Sequence, residues 1–172
     1  IHSTLPAKYE TYTELLAKSG YYVGYTGKGW SPGRLDVGGR STNPAGALFQ
    51  SQKYGKGNLK GLKPPNGMSW NPYAYNFADF LEKRPKDKPF CFWLGTWEPH
   101  RRYLPGSGIK SGKDPSKVIV PAIFPDTDVV RSDILDYMVE IEHFDKQVEF
   151  AINLLEKNGE LDNTIIVITS DH

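Results

Sequence analysis

Pro89-Phe-Cys-Phe-Trp-Leu-Gly-Thr-Trp97 decides the fold. The run is apolar, aromatic and too short for a typical helix, and it breaks at Glu98-Pro99-His100, so it reads as a fully buried strand of the kind parallel sheets use. Two other stretches share its shape. Upstream, Tyr21-Tyr-Val-Gly-Tyr25 leads into Gly27-Lys28; downstream, Thr164-Ile-Ile-Val-Ile-Thr169 leads into Ser170-Asp171-His172. Open α/β sheets bind ligands beyond the carboxyl ends of their strands. A lysine, a histidine and an Asp-His pair are therefore expected on one edge of one sheet.

Helical patterns fill the spaces between these strands. Tyr9, Tyr12, Leu15 and Leu16 fall on one face of a helix from Lys8 to Ser19, with Gly20 placed for a left-handed cap. Pro72 to Lys83 reads as a second helix. The third is the longest: Ile134, Met138, Ile141, Phe144, Val148, Ile152 and Leu155 keep helical spacing until Asn158-Gly159. Long irregular excursions separate these elements, from about Thr26 to Asn71 and from Glu98 to about Phe124. The order predicts an α/β fold, a parallel or mixed sheet with crossover helices. Three strands are few for such a sheet, and no strand precedes the first helix, so residues 1–172 are expected to be an interior part of one larger domain.

Composition excludes other classes. A net charge of +1, with cations interspersed among acids and aromatics, gives no basic field for nucleic acid. No apolar run approaches the ~20 residues a spanning helix needs. The single cysteine, Cys91, cannot form an internal disulfide. Ile1-His2-Ser3-Thr4 has no basic leader pattern, so these residues do not set localisation.

Four residues are candidates for chemistry. Lys28 lies in Gly24-Tyr-Thr-Gly-Lys-Gly-Trp30, where glycines let an anion approach the backbone, but the spacing is not that of a phosphate-binding P-loop, and a solvated loop lysine fits the local pattern as well. His100, at a strand end and followed by Arg101 and Arg102, suits proton transfer near neutral pH; a surface histidine fits equally. Asp171 and His172 offer one oxygen and one nitrogen ligand, too few to close a metal site. His143 and Asp145 sit within the long helix and read as structural, Cys91 as core. Trp30, Trp70, Trp97 and Tyr103 are able to stack on sugar rings or to pack the loops down.

Four stretches together resemble the formylglycine-dependent type I sulfatase family of the alkaline phosphatase superfamily. They are Tyr12 to Lys28, Glu98-Pro-His100, Phe124-Pro-Asp-Thr-Asp128 with the helix through Phe144-Asp145, and Leu161 to His172. The Gly24 to Gly33 and Pro125-Asp-Thr-x-x-Val-Arg131 stretches look most similar to the heparan N-sulfatase branch. The resemblance implies hydrolysis of a sulfate ester or sulfamate on a sulfated glycan of the heparan type. It implies a formylglycine nucleophile and a divalent metal, calcium with magnesium as the alternative. By position, Asp171 and His172 match metal ligands, Lys28 the sulfate-contacting lysine and His100 the histidine near the leaving group. A periplasmic, secreted or lysosomal setting is also implied.

The chain departs from the family pattern at three points. No Cys/Ser-x-Pro-Ser-Arg occurs here, since Ser31-Pro-Gly-Arg34 places proline one position early, so the nucleophile is expected upstream and these 172 residues are expected to be inactive without it. Trp30 stands where many relatives have histidine, and His172 where they have asparagine. A phosphodiesterase or phosphatase of the same superfamily, and a noncatalytic carbohydrate-binding module, are the competing readings.

Overall fold

The computed structural model describes residues 3–31 and 33–170. Helix α1 spans Tyr12–Lys18 and leads into strand β1, Tyr22–Gly27. A short strand β2, Ala47–Leu48, follows, then helix α2, Tyr73–Lys83, and strand β3, Phe90–Gly95. The short helix α3, Ser107–Lys110, precedes the 30-residue helix α4, Asp128–Lys157. The sheet is parallel throughout, in the order β2-β1-β3, with Tyr22 opposite Phe90 and Gly27 opposite Gly95. This is an α/β fold with an open three-stranded parallel sheet.

The core lies on one face of that sheet. Alternation along β3 sends Phe90, Phe92 and Leu94 to the same side, where they meet Phe77, Phe80 and Leu81 of α2 and Ala151 and Leu155 of α4. Ring centroids of Phe80 stand 4.6 Å from Phe92 and 5.0 Å from Tyr22, so aromatic packing carries much of the interior. Gly24 is small because Phe80 and Phe49 occupy the space above it; an added Cβ would lie 2.9 Å from the Phe80 ring. The opposite face is thinly covered. Trp93 remains 37% exposed, and β3 is half-buried where the sequence suggested full burial.

Local chemistry explains where the helices begin and end. Thr11 and Glu14 form a capping box that starts α1 at Tyr12, four residues later than the apolar spacing suggests, and leaves Tyr9 outside the helix. Tyr12 and Leu15 are exposed, so the face expected to be buried is not. Thr127 caps α4, and Gly159 at φ +68° turns the chain out of it at the expected position.

The excursion after β1 is ordered by its own contacts. Leu48 joins the sheet beside Tyr25, Phe49 enters the core, and Arg40 is buried, donating to Glu14, to the Leu5 carbonyl at 2.7 Å and to the Tyr9 carbonyl at 2.6 Å. Arg40 holds the Glu14 carboxyl down to about 2 through its hydrogen bonds, aided by Thr11. A depressed carboxyl stabilises the fold above its unfolded value, and that contribution is lost as pH falls toward about 2. Arg40→Ala should cost about 1–3 kcal/mol, since it takes the donor from two part-buried hydrogen-bonded carbonyls and from Glu14, and should flatten the acid limb of a stability-versus-pH curve measured by urea melts. An acid limb unchanged by the substitution would contradict this.

The segment from Thr164 to Thr169 is not a strand. Ile165 is 92% exposed and Val167 78%, and the segment pairs with neither edge of the sheet. β-prone residues form a strand only where a partner completes the ladder, and here none of the described strands does.

Candidate active site at the carboxyl edge of the sheet

The two central strands end side by side. The Lys28 N–H donates to the Gly95 carbonyl at 2.7 Å, which locks the exit of β1 against the exit of β3. The Lys28 ammonium lies 5.8 Å from the Trp97 ring, within cation–π range. The Trp97 carbonyl in turn accepts the His100 N–H at 2.8 Å. Lys28 and His100 thus belong to one edge, beyond the carboxyl ends of neighbouring parallel strands, with Trp97 between them in the chain of contacts. Asp171 and His172 lie outside the described residues. Among the described residues no three His, Cys, Asp or Glu side chains converge in a way that would hold a metal ion.

A buried polar network supports the β3 exit. Glu98, 6% exposed, accepts from the Ser69 N–H at 2.7 Å and from the Tyr73 hydroxyl at 2.8 Å. The same hydroxyl accepts the Trp97 N–H at 3.0 Å, so one phenol fixes two consecutive residues of the loop that carries His100. Burial pushes the Tyr73 hydroxyl well above its usual range, with the Glu98 charge adding to the effect, so it stays protonated and donating. Tyr73→Phe should therefore cost about 1–3 kcal/mol in denaturant melts, because a carboxylate and an amide lose a buried partner together. A loss within a few tenths of a kcal/mol would show that the loop is held by other contacts.

His100 is exposed, and its Nδ1 meets the Arg101 carbonyl, which can only accept; Nδ1 carries a proton and Nε2 is the nitrogen left for exchange. A cavity of about 200 Å³ opens beside it, lined among others by Ser69, Trp97, Glu98, Arg102 and Glu140. A wider, open cleft of about 520 Å³ continues past Arg102 to Arg101, Tyr103 and the start of α4. There the Arg101 guanidinium forks onto Asp133 and stacks 4.6 Å over Tyr103.

The face that α4 turns inward differs from the apolar stripe read in the sequence. Met138 and Ile141 are 40% and 38% exposed, while Asp136, Glu140, His143 and Gln147 are buried. Asp136 anchors α3 by accepting from the Gly106 and Gly108 N–H groups, both at 2.8 Å. Gln147 accepts the Ala74 N–H at 3.1 Å. Burial, then the Glu98 charge, pushes the Glu140 carboxyl up to about 7. His143 is pushed down by burial, against the pull of Glu98. Glu140 escaped the periodicity argument because that argument scores apolar residues; polar residues at helical spacing, Asp136, Glu140, His143 and Gln147, were the available signal, and His143, read as structural, is buried.

No helix is long and apolar enough to cross a membrane among the described residues. A search of curated proteins finds no match to the chain. The family comparison matches the sulfatase profile over residues 2–172, almost the whole sequence. Members of that family are hydrolases of sulfuric esters that generally use a divalent metal and a formylglycine, and they are typically extracellular or lysosomal. With a parallel sheet whose strand ends bring a lysine and a histidine to one edge, and a profile match of this extent, the chain belongs to the sulfatase family.

Proposed function

We propose that this chain is the central part of the catalytic domain of a glycan sulfatase, closest in kind to the heparan N-sulfatases, hydrolysing an O-sulfate or a sulfamate on a heparan-type sugar. The observation that carries this is the shared edge: Lys28 and the loop bearing His100 are joined through Gly95 and Trp97 at the carboxyl ends of β1 and β3. Lys28 offers a positive charge to sulfuryl oxygens, and His100 offers a proton to the departing oxygen or nitrogen. The cleft past Arg102 offers the aromatic surface of Tyr103 to a sugar ring, and its lining mixes Arg101 and Arg102 with Asp128, Asp133 and Asp136, Arg101 being already paired with Asp133.

Asp171 and His172 are the residues proposed to hold the divalent metal, calcium or magnesium. When bound, such an ion supplies charge stabilisation at the sulfuryl oxygens. The sequence contains no Cys/Ser-x-Pro-Ser-Arg, so activity is assigned to the protein in which a formylglycine accompanies these residues, and the 172 residues alone are proposed to be inert.

The test is hydrolysis by the formylglycine-bearing protein of a nitrophenyl sulfate, an N-sulfated glucosamine oligosaccharide, an O-sulfated one and a phosphate diester. Release of sulfate from the N-sulfated sugar supports the proposal. Cleavage of the phosphate diester alone would move the assignment to a phosphodiesterase.

A further inference from the structure

Glu140 is 3% exposed, yet it lines the same cavity as His100. No hydrogen bond reaches its carboxyl among the described residues. One turn further along α4, His143 is 5% exposed, and its Nε2 has no hydrogen-bond partner in this structure. Buried polar atoms are ordinarily satisfied, so His143 Nε2 calls for an explanation, and the Glu140 carboxyl opens instead onto the cavity it shares with His100. Neither contributes to the anchoring done by Glu98, which already accepts from Ser69 and Tyr73.

We propose that Glu140 is a positioning residue for proton supply, returning a proton to His100 through the cavity that both side chains line. The inference rests on the reading of His100 as the leaving-group acid. About 200 Å³ is room for several waters at ~30 Å³ each, and the polar lining gives them partners. The balance is as follows. A His100 N–H bond breaks as the leaving oxygen or nitrogen gains that proton, and neutral His100 remains. A Glu140 O–H bond then breaks, a bridging water passes its own proton on, and the His100 N–H bond reforms. The Glu140 carboxylate takes its next proton from solvent.

The surroundings suit a carboxyl that holds a proton near neutrality. Glu98 faces it from the exit of β3, and His100 and Arg102 line the cavity with it. Tyr103 feels its charge from the following loop, and His143, beside Lys146, lies one turn along α4. Burial and Glu98 raise the carboxyl to about 7. A carboxyl raised in the folded state costs stability as pH climbs from its unfolded value, and the cost is complete above about 7. Glu140→Gln should therefore melt at the same or a higher temperature than the native protein at alkaline pH.

In the formylglycine-bearing protein, Glu140→Gln should lower kcat on a sulfated sugar by about tenfold in dilute buffer, and concentrated imidazole, an external proton donor, should restore it. Turnover of nitrophenyl sulfate, whose leaving group needs no proton, should change less than about twofold. Equal loss on both substrates, no loss on either, or a loss that imidazole does not repair would each overturn the proposal. A carbon-NMR titration of the glutamate carboxyls needs no turnover. It should show one midpoint near 7 that Glu140→Gln removes, and an ordinary carboxylate midpoint at this position would also overturn it. The reading of His100 fails separately, if His100→Ala leaves sugar desulfation intact.

Discussion

Gly27→Ala should unfold the protein or bring it close to unfolding. Gly27 has φ +67°, a left-handed backbone conformation that costs alanine roughly 1–2 kcal/mol. A Cβ built there would stand 2.0 Å from the Gly95 carbonyl oxygen and 2.8 Å from the Tyr73 ring. Neither neighbour can yield cheaply. Gly95 is held in the ladder opposite Gly27 and accepts the Lys28 N–H at 2.7 Å, and Tyr73 is wholly buried between Glu98 and Trp97. Relieving the clash means parting the two strand exits, which adds roughly 1–3 kcal/mol of overpacking and the loss of about 1 kcal/mol of hydrogen bonding. The total, on the order of 4 kcal/mol, is a large share of the 5–15 kcal/mol typical of a domain.

Gly61→Ala separates the two causes. Gly61 also has positive φ, +87°, but nothing lies within 4 Å of a Cβ placed there, so only the backbone cost of about 1 kcal/mol applies. Urea melts of both variants, compared at equal m-values, give the difference directly. Equal costs at the two positions would mean that the strand exits are not tightly joined.

Much of the sheet edge was legible from sequence because short-range chemistry specifies it. Phe90 to Leu94 form a strand wherever an apolar face is available, and α2 supplies that face with Phe77 and Phe80 in sequence-adjacent chain. Gly20 and Gly159 both take positive φ after helices, as their positions suggested. Ile165 to Ile168 failed for the converse reason. Their β-propensity is as strong as that of β3, but a parallel strand needs partners distant in sequence, and propensity cannot report whether they are in place.

The site was less legible than the fold. Lys28 and His100 stand out because each follows a strand, whereas Glu98 is held by a hydrogen bond from Tyr73, 25 residues earlier, and Glu140 reaches an open cavity from α4. Such pairings depend on how α2 and α4 settle against β3. The Thr11-x-x-Glu14 box is different: it is local in sequence, and it sets the start of α1 at Tyr12 against the apolar spacing of Tyr9 and Tyr12.

The largest expected effects fall on turnover. In the formylglycine-bearing protein, Lys28→Ala should lower kcat by about 10²–10³ on every sulfated substrate, since a preorganised cation at developing charge is worth that much and the charge develops whatever the leaving group. His100→Ala should discriminate. A nitrophenolate departs unaided, so its loss there should be small, whereas a sugar oxygen or amine must be protonated as it leaves, and the loss should reach about 10²–10⁴. The double variant should lose less than the product of the two on the sugar substrate, because groups acting on one transition state are not additive. Structural damage offers a rival explanation, and the geometry limits it. Lys28 is tied to β3 by its main-chain N–H, which alanine retains, so the substitution gives up only side-chain contacts such as that with the Trp97 ring, and the His100 ring is exposed. Both variants should therefore melt within about 1 kcal/mol of the native protein. If Lys28→Ala keeps native turnover, or His100→Ala slows nitrophenyl sulfate as much as the sugar, the two residues do not work at the reacting sulfur, and the shared edge of β1 and β3 is scaffold alone.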